Sequence, residues 1–397
     1  MQIQTHRFNG ANLSQLNAQI QQLQTKDPAQ LAICFGNYRS IELLSRAQGL
    51  QDIAEQWLAG SSCQGCADNQ GLNNHSSYSA SVMLFKDPKG AFGVASADLS
   101  AAPGKRAALA LEQAMSNAGK PHELPNLIWC LQAPGQEELI LASFKAVVGD
   151  AVPIFGGSTA DDTVTGDWLQ FDGVTLFGNG LVVAVFYAST GISSFFSCGY
   201  SEVSLLGRVT EVQGRELIAL DQLPAAQRYR QAVAQISSQQ LVAGNVLKES
   251  TFCPIGRKIE HADVPLYLLS HPAFITEHQS LQLFSEVYPG DLLYLMQGDR
   301  NQLINRAAEV CSTALKSLRF KYDCEAAGAL VVFCGGCMLA VKSELDLVQA
   351  AIEQALGSIP FLITFTFGEQ GSFVDGSNRH GNLMISAVMF GASDEQL

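Results

Sequence analysis

The sequence predicts an α+β fold in which mixed β-sheets pack against helices, built from three repeated β-α-β-β units. Two observations lead to this prediction. First, 47% of the 397 residues are hydrophobic and only 15% are charged, which is typical of large packed cores and not of a disordered chain. Second, one order of strand, helix and small-residue loop occurs three times along the chain.

Each predicted unit begins with a short apolar strand that carries a cysteine near its end. Apolar runs of this length are typical of buried strands. Because the cysteine recurs, we expect Cys34, Cys130 and Cys334 to occupy equivalent positions in their strands. The three strands are Leu31–Cys34, Leu127–Cys130 and Leu330–Cys334.

A helical pattern follows each strand and leads to a segment that ends in small residues. Apolar side chains recur at intervals of three and four residues over about 43–58, 137–148 and 344–356. A strand–helix–strand segment of this kind forms a right-handed crossover between parallel strands. The small-residue segments, called tips below, are Leu58–Ser62, Pro153–Ser158 and Phe361–Gly368.

The tips are expected to gather at one sheet edge, where backbone amides and hydroxyls can face a ligand. The alternative is that the small residues only make tight turns, and their recurrence is what supports ligand binding. The acidic residues that follow the tips either contribute to such a site or cap the turns. The candidate ligand-binding residues are Ser61, Ser62, Gly157, Ser158, Thr159, Asp161, Asp162, Gly368 and Glu369.

A further buried strand closes each unit and is expected to return antiparallel, since turn residues such as Thr165–Asp167 precede it. Between the second and third units lie a Gln/Ala-rich helical segment, 225–247, a β-rich stretch and a long helix, 300–317. We therefore predict two domains, residues 1–228 and 229–397. The closing strands are Ser79–Phe85, Leu181–Tyr187 and Leu383–Phe390.

Charge and hydropathy exclude several classes of partner. The formal net charge is −13 and Lys and Arg form no cluster, so the sequence predicts no nucleic-acid partner. The longest apolar runs have the length of strands, which predicts no membrane span. The N-terminus has no basic segment followed by an apolar one, so the cytoplasm is the predicted location. There, the ten cysteines are expected to be reduced.

Six short segments with glycine, proline or acidic residues follow one another along the chain. They are Gly156–Asp162, Leu217–Ala225, Cys253–Gly256, Pro289–Asp291, Gly328–Gly336 and Phe367–Glu369. In this order, the first two resemble the N-terminal domain and the other four the C-terminal domain of the FIST (F-box and intracellular signal transduction) family. The resemblance implies an intracellular sensory module that binds a small ligand and acts in trans on a signalling protein such as a histidine kinase. One subset of the family binds haem and senses nitric oxide.

Two CxxC pairs, one in each predicted domain, are candidates for a metal site. They are Cys63 with Cys66 and Cys334 with Cys337. A CxxC turn directs two thiolates to one point, so two such turns can complete a tetrahedral zinc site or hold an iron–sulfur cluster. The alternative is two unrelated pairs of reduced cysteines. The FIST family usually has Cys-x-Gly-Arg where this chain has Cys334–Cys337, so a thiol replaces an arginine.

His271 is the candidate axial ligand for haem, because it ends an apolar strand and precedes Pro272. The alternative is a hydrogen-bonded histidine of the core or the surface.

We therefore predict a ligand-binding sensor, with haem or a small metabolite as its ligand. A thiol or metal switch that uses the two CxxC pairs is the alternative. The chain contains no Gly-x-Ser-x-Gly elbow, HExxH or Walker loop, so no enzymatic activity is expected. The sequence is compatible with an oligomer.

Overall fold

The computed structural model describes residues 1–261 and 264–393. It confirms the α+β class, with mixed sheets and packed helices. The strands of the first unit are β1 (Gln2–Gly10), β2 (Ala29–Gly36), β3 (Ala54–Ser61), β4 (Cys66–Asp68), β5 (Gly71–Asn73) and β6 (Tyr78–Lys86). Its helices are α1 (Leu13–Leu23), α2 (Tyr38–Leu44) and a 3-10 turn at Leu50–Asp52.

The second unit repeats this order of elements. Its α4 has the bounds predicted from the sequence. The strands are β7 (Ala91–Asp98), β8 (Leu127–Gln132), β9 (Ile154–Ser158), β10 (Gln170–Phe171), β11 (Leu176–Phe177) and β12 (Gly180–Tyr187), and the helices are α3 (Pro103–Asn117) and α4 (Glu137–Val148).

The third unit opens with β13 (Ile192–Cys198) and is then interrupted by residues 201–297, called the β-module below. The strands of the β-module are β14 (Ser201–Gln213), β15 (Glu216–Leu220), β16 (Leu223–Pro224), β17 (Gly244–Asn245), β18 (Ile255–His261), β19 (Val264–Ser270), β20 (Pro272–Ile275), β21 (Leu281–Leu283) and β22 (Leu292–Gln297), and its helices are α5 (Ala225–Ile236) and α6 (Leu247–Ser250).

The third unit resumes with the long helix α7, whose N-terminus is fixed by a capping box between Asp299 and Gln302. Its helices are α7 (Arg300–Tyr322), α8 (Gly335–Ala340) and α9 (Leu345–Leu356), with a 3-10 turn at Lys342–Glu344. Its strands are β23 (Ala326–Cys334), β24 (Phe361–Thr366), β25 (Glu369–Ser372), β26 (Asn378–Gly381) and β27 (Met384–Gly391).

Three six-stranded sheets share one topology. In each, a parallel pair (β2–β3, β8–β9 or β23–β24) is flanked by the closing strand of the same unit, which returns antiparallel as expected. The other flank is a short hairpin supplied by a different unit. The hairpin β4–β5 joins the third sheet, β10–β11 joins the first and β25–β26 joins the second. The three units therefore exchange hairpins in a closed cycle.

The register corrects the expectation that three cysteines mark equivalent positions. In the third sheet the equivalent of Cys34 and Cys130 is Val331, and Cys334 lies three residues further on at the strand end. The equivalent pairs across the parallel strands are Cys34–Ala59, Cys130–Gly156 and Val331–Ile363.

The helix predicted over about 43–58 is also wrong. The observed α2 ends at Leu44, and residues 54–61 form the strand β3. Gly49 adopts φ +80 directly before the 3-10 turn, a conformation that a continuous helix does not contain. The apolar spacing of this segment therefore came from a short helix and a buried strand in succession.

The centre of the molecule is a core shared by all three sheets. One phenylalanine from each closing strand meets there, with ring centroids 5.1 to 5.6 Å apart. These are Phe85, Phe186 and Phe390, and the register places them at equivalent positions. Within the described ranges, no helix is long and apolar enough to cross a membrane.

Candidate ligand site between the units and the β-module

The three tips contact one another inside the molecule. An amide in or just after each tip donates a backbone hydrogen bond to another tip, and the tips are largely buried. The tips therefore hold the units together instead of lining an open edge. The bonds run from Cys63 N to Phe365 O (3.0 Å), from Ala160 N to Ser61 O (2.9 Å) and from Phe367 N to Ser158 O (3.1 Å).

The hydroxyls of the first tip bond to backbone amides of the other units. Ser61 Oγ accepts from Leu169 N at 2.9 Å, and Ser62 Oγ accepts from Phe365 N at 2.8 Å. Both serines are buried. Their hydroxyls satisfy amides that would otherwise be unpaired in the core, which is a structural role.

In the second tip, Gly157 allows a close approach, because a Cβ there would lie 2.6 Å from the Gly368 carbonyl oxygen. Thr159 Oγ1 accepts from Gln170 Nε2 at 2.5 Å, and Gln170 Oε1 accepts from Gly180 N at 2.9 Å. The second tip is thereby tied to β10 and β12.

Glu369 makes the same pair of contacts in the second sheet that Gln170 makes in the first. Its Oε2 accepts from Met384 N at 3.1 Å, and its Oε1 bonds with Thr366 Oγ1 at 2.8 Å. The side chain is fully buried, and this burial, with the nearby Cys334 thiol, raises the pKa of Glu369 well above its ordinary value. Burial therefore disfavours the ionised form of Glu369, which is a core residue.

Asp161 and Asp162 organise loops. The Asp161 carboxylate accepts hydrogen bonds from the backbone amides of residues 163–167. Burial alone would raise the pKa of Asp161, but these hydrogen bonds lower it. Asp162 Oδ1 accepts from Gln64 N at 2.5 Å.

The four thiols of the two CxxC pairs do not converge on one mononuclear metal site. All four are buried, and Cys66 bonds with Ser81 whereas Cys63 lies near Asp161, Asp162 and Cys334. In the described part of the chain, no cysteine belongs to a group of three or more ligand atoms within 4.8 Å of one another. Burial raises the pKa of Cys63 and Cys334 and raises that of Cys66 to about 12, so these thiols are protonated at pH 7.

Cys334 and Cys337 lie at the start of α8, beside the β-module. Cys334 Sγ accepts from Leu383 N at 3.3 Å, and Cys337 Sγ lies 3.7 Å from the Tyr200 hydroxyl. Each sulfur thus has a protein partner, and neither needs a metal to satisfy it.

His271 is buried and already bonded. Its Nε2 lies 3.0 Å from the Leu247 carbonyl and 3.4 Å from Thr251 Oγ1. Burial lowers the pKa of His271 to about 4, so the ring is neutral at pH 7. Since a carbonyl only accepts, Nε2 carries the proton and has no lone pair for iron.

A cluster of charged side chains that the sequence analysis did not single out joins the second unit, the third unit and the β-module. Glu137 and Glu138 open α4, Arg215 lies in the turn between β14 and β15, and His380 lies in β26. We call these four residues the junction cluster. Three distant stretches of sequence therefore meet at one point.

One guanidinium group holds both carboxylates of the junction cluster. Arg215 Nη2 lies 2.6 Å from Glu137 Oε2 and 2.5 Å from Glu138 Oε2. Glu138 Oε1 lies 2.8 Å from His380 Nδ1. The side chains of Arg215 and Glu138 are 22% and 18% exposed, so solvent reaches the cluster from one side.

Two of the predicted tip residues border this cluster. Ser158 Oγ donates to Glu137 Oε1 at 2.5 Å. A Cβ on Gly368 would lie 2.6 Å from His380 Nε2 and 3.3 Å from Glu137 Oε1, so the missing side chain leaves a small cradle between them. His380 Nε2 is buried and has no hydrogen-bond partner among the described residues.

Comparison with protein-family models gives two matches that together span most of the chain. The FIST N domain matches residues 30–223, and the FIST C domain matches residues 225–372.

The chain belongs to the FIST family. FIST domains are linked to signal transduction and to the sensing of small ligands. The boundary between the two matches falls at residues 223–225, inside the β-module of this FIST protein, and the boundary predicted from the sequence lies at residue 228. No curated protein matches the chain.

Three solved structures show a weak similarity to the chain, each at low sequence identity. A cyanuric acid hydrolase from A. caulinodans is 9% identical, covers 99% of both chains and has a TM-score of 0.36. A second cyanuric acid hydrolase is 7% identical, covers 98% of this chain and 99% of its own, and has a TM-score of 0.34. PurLQS from Thermotoga maritima is 10% identical over 77% of this chain and 73% of its own, with a TM-score of 0.23. These scores are too low to carry a functional argument.

The charges of the junction cluster depend on one another. Burial alone would raise the pKa of Glu137 and Glu138, but His380 and Arg215 lower both. The same two carboxylates raise the pKa of Arg215. Both glutamates are therefore ionised at pH 7, and each depends on a cation from another part of this FIST protein.

Sequence reasoning missed the junction cluster because its members are far apart along the chain, with 242 positions between Glu138 and His380. One local signal was present, since two adjacent glutamates begin a helix directly after the second cysteine strand. Acidic residues in a first helical turn are common, because they interact favourably with the helix dipole. Only the fold brings Arg215 and His380 to them.

Proposed function

We propose that this FIST protein is a small-ligand sensor that acts in trans, in the cytoplasm, on a separate signalling protein such as a histidine kinase. Membership of the FIST family supports this function. The proposal assigns no catalytic residue, since the serines, threonine and acidic residues of the tips are occupied in structural hydrogen bonds.

The junction cluster is the ligand site that the geometry favours. This choice of site is based on one observation: Arg215 of the β-module forms ion pairs with two carboxylates of α4, and solvent reaches these ion pairs from one side. A ligand that binds either the carboxylates or the guanidinium breaks these ion pairs. It therefore changes how the β-module is held against the second and third units.

Such a change can control a partner only if the partner distinguishes the bound from the unbound state. Coupling energies between two sites are typically ~1–3 kcal/mol, which corresponds to changes of several-fold to about a hundred-fold in affinity. The free energy lost when a charge-assisted hydrogen bond of this kind is broken is of the same order.

Haem bound through His271 receives no support from this packing. Its Nε2 is committed to Leu247, and the ring is buried against Phe284 at a centroid distance of 6.2 Å. A shared mononuclear zinc site receives none either, because no cysteine of the described residues belongs to a group of three or more ligand atoms within 4.8 Å of one another.

The proposal is tested with purified histidine kinases of the same organism. We expect the wild-type protein to change the autophosphorylation rate of one kinase, and Arg215→Ala to alter the size of that change several-fold. Arg257→Ala is the matched control. Arg257, like Arg215, pairs with a carboxylate, which is Asp291 at 2.8 Å, but both residues of this pair lie in the β-module and outside the junction cluster. If no kinase responds, or if Arg215→Ala acts like the wild type, the proposal is wrong.

A further inference from the structure

We infer that Glu137, Glu138 and His380 form a divalent-cation site whose occupancy competes with Arg215. This inference rests on the junction cluster as the ligand site proposed above, and it names the chemical class of the ligand.

The donor set is the first support. One ligand atom from each of these three residues lies within 4.8 Å of the others, and among the described residues this is the only such group of His, Cys, Asp and Glu. Carboxylate oxygens with an imidazole nitrogen suit Mn²⁺, Fe²⁺ or Zn²⁺. Oxygen-only sites are more typical of Mg²⁺ and Ca²⁺.

The unpaired nitrogen of His380 is the second, independent support. The side chain is 0% exposed, and Nε2 has no hydrogen-bond partner in the described part of the chain. A buried polar atom without a partner is a place where a ligand can bind. The His380 ring contacts Glu138 Oε1 through Nδ1 at 2.8 Å, and its Nε2 borders the same cradle above Gly368 as Glu137 Oε1.

The position of Arg215 shows why binding would be competitive. Its Nη2 bridges Oε2 of each glutamate, so Arg215 occupies two of the carboxylate oxygens on which a bound cation would draw. The guanidinium balances one of the two negative charges, whereas a divalent cation would balance both. Arg215 extends from a turn of the β-module, so its displacement would release that turn from α4.

The cation itself is the probe. Mn²⁺ is titrated into the purified full-length protein, and free Mn²⁺ is followed by its electron paramagnetic resonance signal. We expect Arg215→Ala to bind one Mn²⁺ about tenfold tighter than the wild type, since charge-assisted bonds need no longer be broken. Arg257→Ala, which frees a single carboxylate elsewhere in the β-module, should bind like the wild type.

Two further variants test the ligands. In Arg215→Ala/Gly368→Ala the added Cβ would lie 2.6 Å from His380 Nε2 and should remove the gain in affinity. Arg215→Ala/Glu138→Gln removes one ligand and should do the same. Circular dichroism checks that each variant is folded, and either double variant suffices if the other does not fold.

Equal Mn²⁺ affinity of Arg215→Ala and the wild type overturns the inference, as does undiminished affinity in the folded double variants. A kinase response that changes in Arg215→Ala without any Mn²⁺ binding would retain the proposed sensor and reject only the cation.

Discussion

At the scale of single residues, Glu369 and Gln170 perform the same task in different sheets. Each accepts a hydrogen bond from the backbone amide that begins a closing strand, and each bonds with a threonine hydroxyl of a tip. A side-chain amide makes both hydrogen bonds without carrying a charge. A carboxyl group that ionises at this position destabilises the folded state, because the site is fully buried.

We predict that Glu369→Gln stabilises the protein at high pH. Because the pKa of Glu369 is raised by folding, its favourable contribution is complete below the unfolded-state pKa and declines as pH rises towards the folded-state pKa. Gln removes this decline, so the variant should be about 1–3 kcal/mol more stable at pH 8 and nearly unchanged at pH 4.5. Urea unfolding at several pH values measures the difference, with the exposed Glu55→Gln as control. A variant that is less stable than the wild type at pH 8 would contradict this prediction.

At the scale of elements, the loop 163–167 is ordered by one carboxylate. Asp161 Oδ2 accepts hydrogen bonds from the backbone amides of Thr165, Gly166 and Asp167, at 2.6 to 3.0 Å. This loop leads from the second tip into β10, which completes the first sheet. A single side chain therefore positions an exchanged hairpin.

We predict that Asp161→Asn destabilises the protein by ~1–3 kcal/mol, because an amide nitrogen replaces the oxygen that accepts these three bonds. Hydrogen exchange should increase first in residues 163–167. Since folding lowers the pKa of Asp161, the wild-type advantage should be present at neutral pH and vanish as pH falls through that lowered value. Asp150→Asn, at an exposed position, is the control. Unchanged exchange in the loop would contradict this role.

At the scale of the whole molecule, the boundary predicted at residue 228 divides structures that belong together. Strand β13, on its N-terminal side, lies in the third sheet, and the β-module has strands on both sides. The hairpins β4–β5 and β25–β26 cross the boundary to complete other sheets. The central phenylalanines also come from both sides.

We therefore predict that residues 1–228 alone do not fold cooperatively, since they lack part of the second sheet and expose the central core. Thermal unfolding followed by circular dichroism should show no sharp transition. Addition of a 229–397 fragment should restore a transition. A monomeric 1–228 fragment that unfolds cooperatively would show that the two FIST domains are independent.

The sequence by itself determined the α+β class, the family, the α4 bounds and the three tips, because periodicity and small-residue turns are local properties. It placed Cys334 at the wrong register position, since one apolar strand with a terminal cysteine looks like another. The sequence also could not reveal which tip residues form hydrogen bonds between the units. Only the tertiary structure brought Arg215 and His380 to Glu137 and Glu138, because ion pairs between distant segments depend on how the sheets exchange hairpins and where the β-module packs.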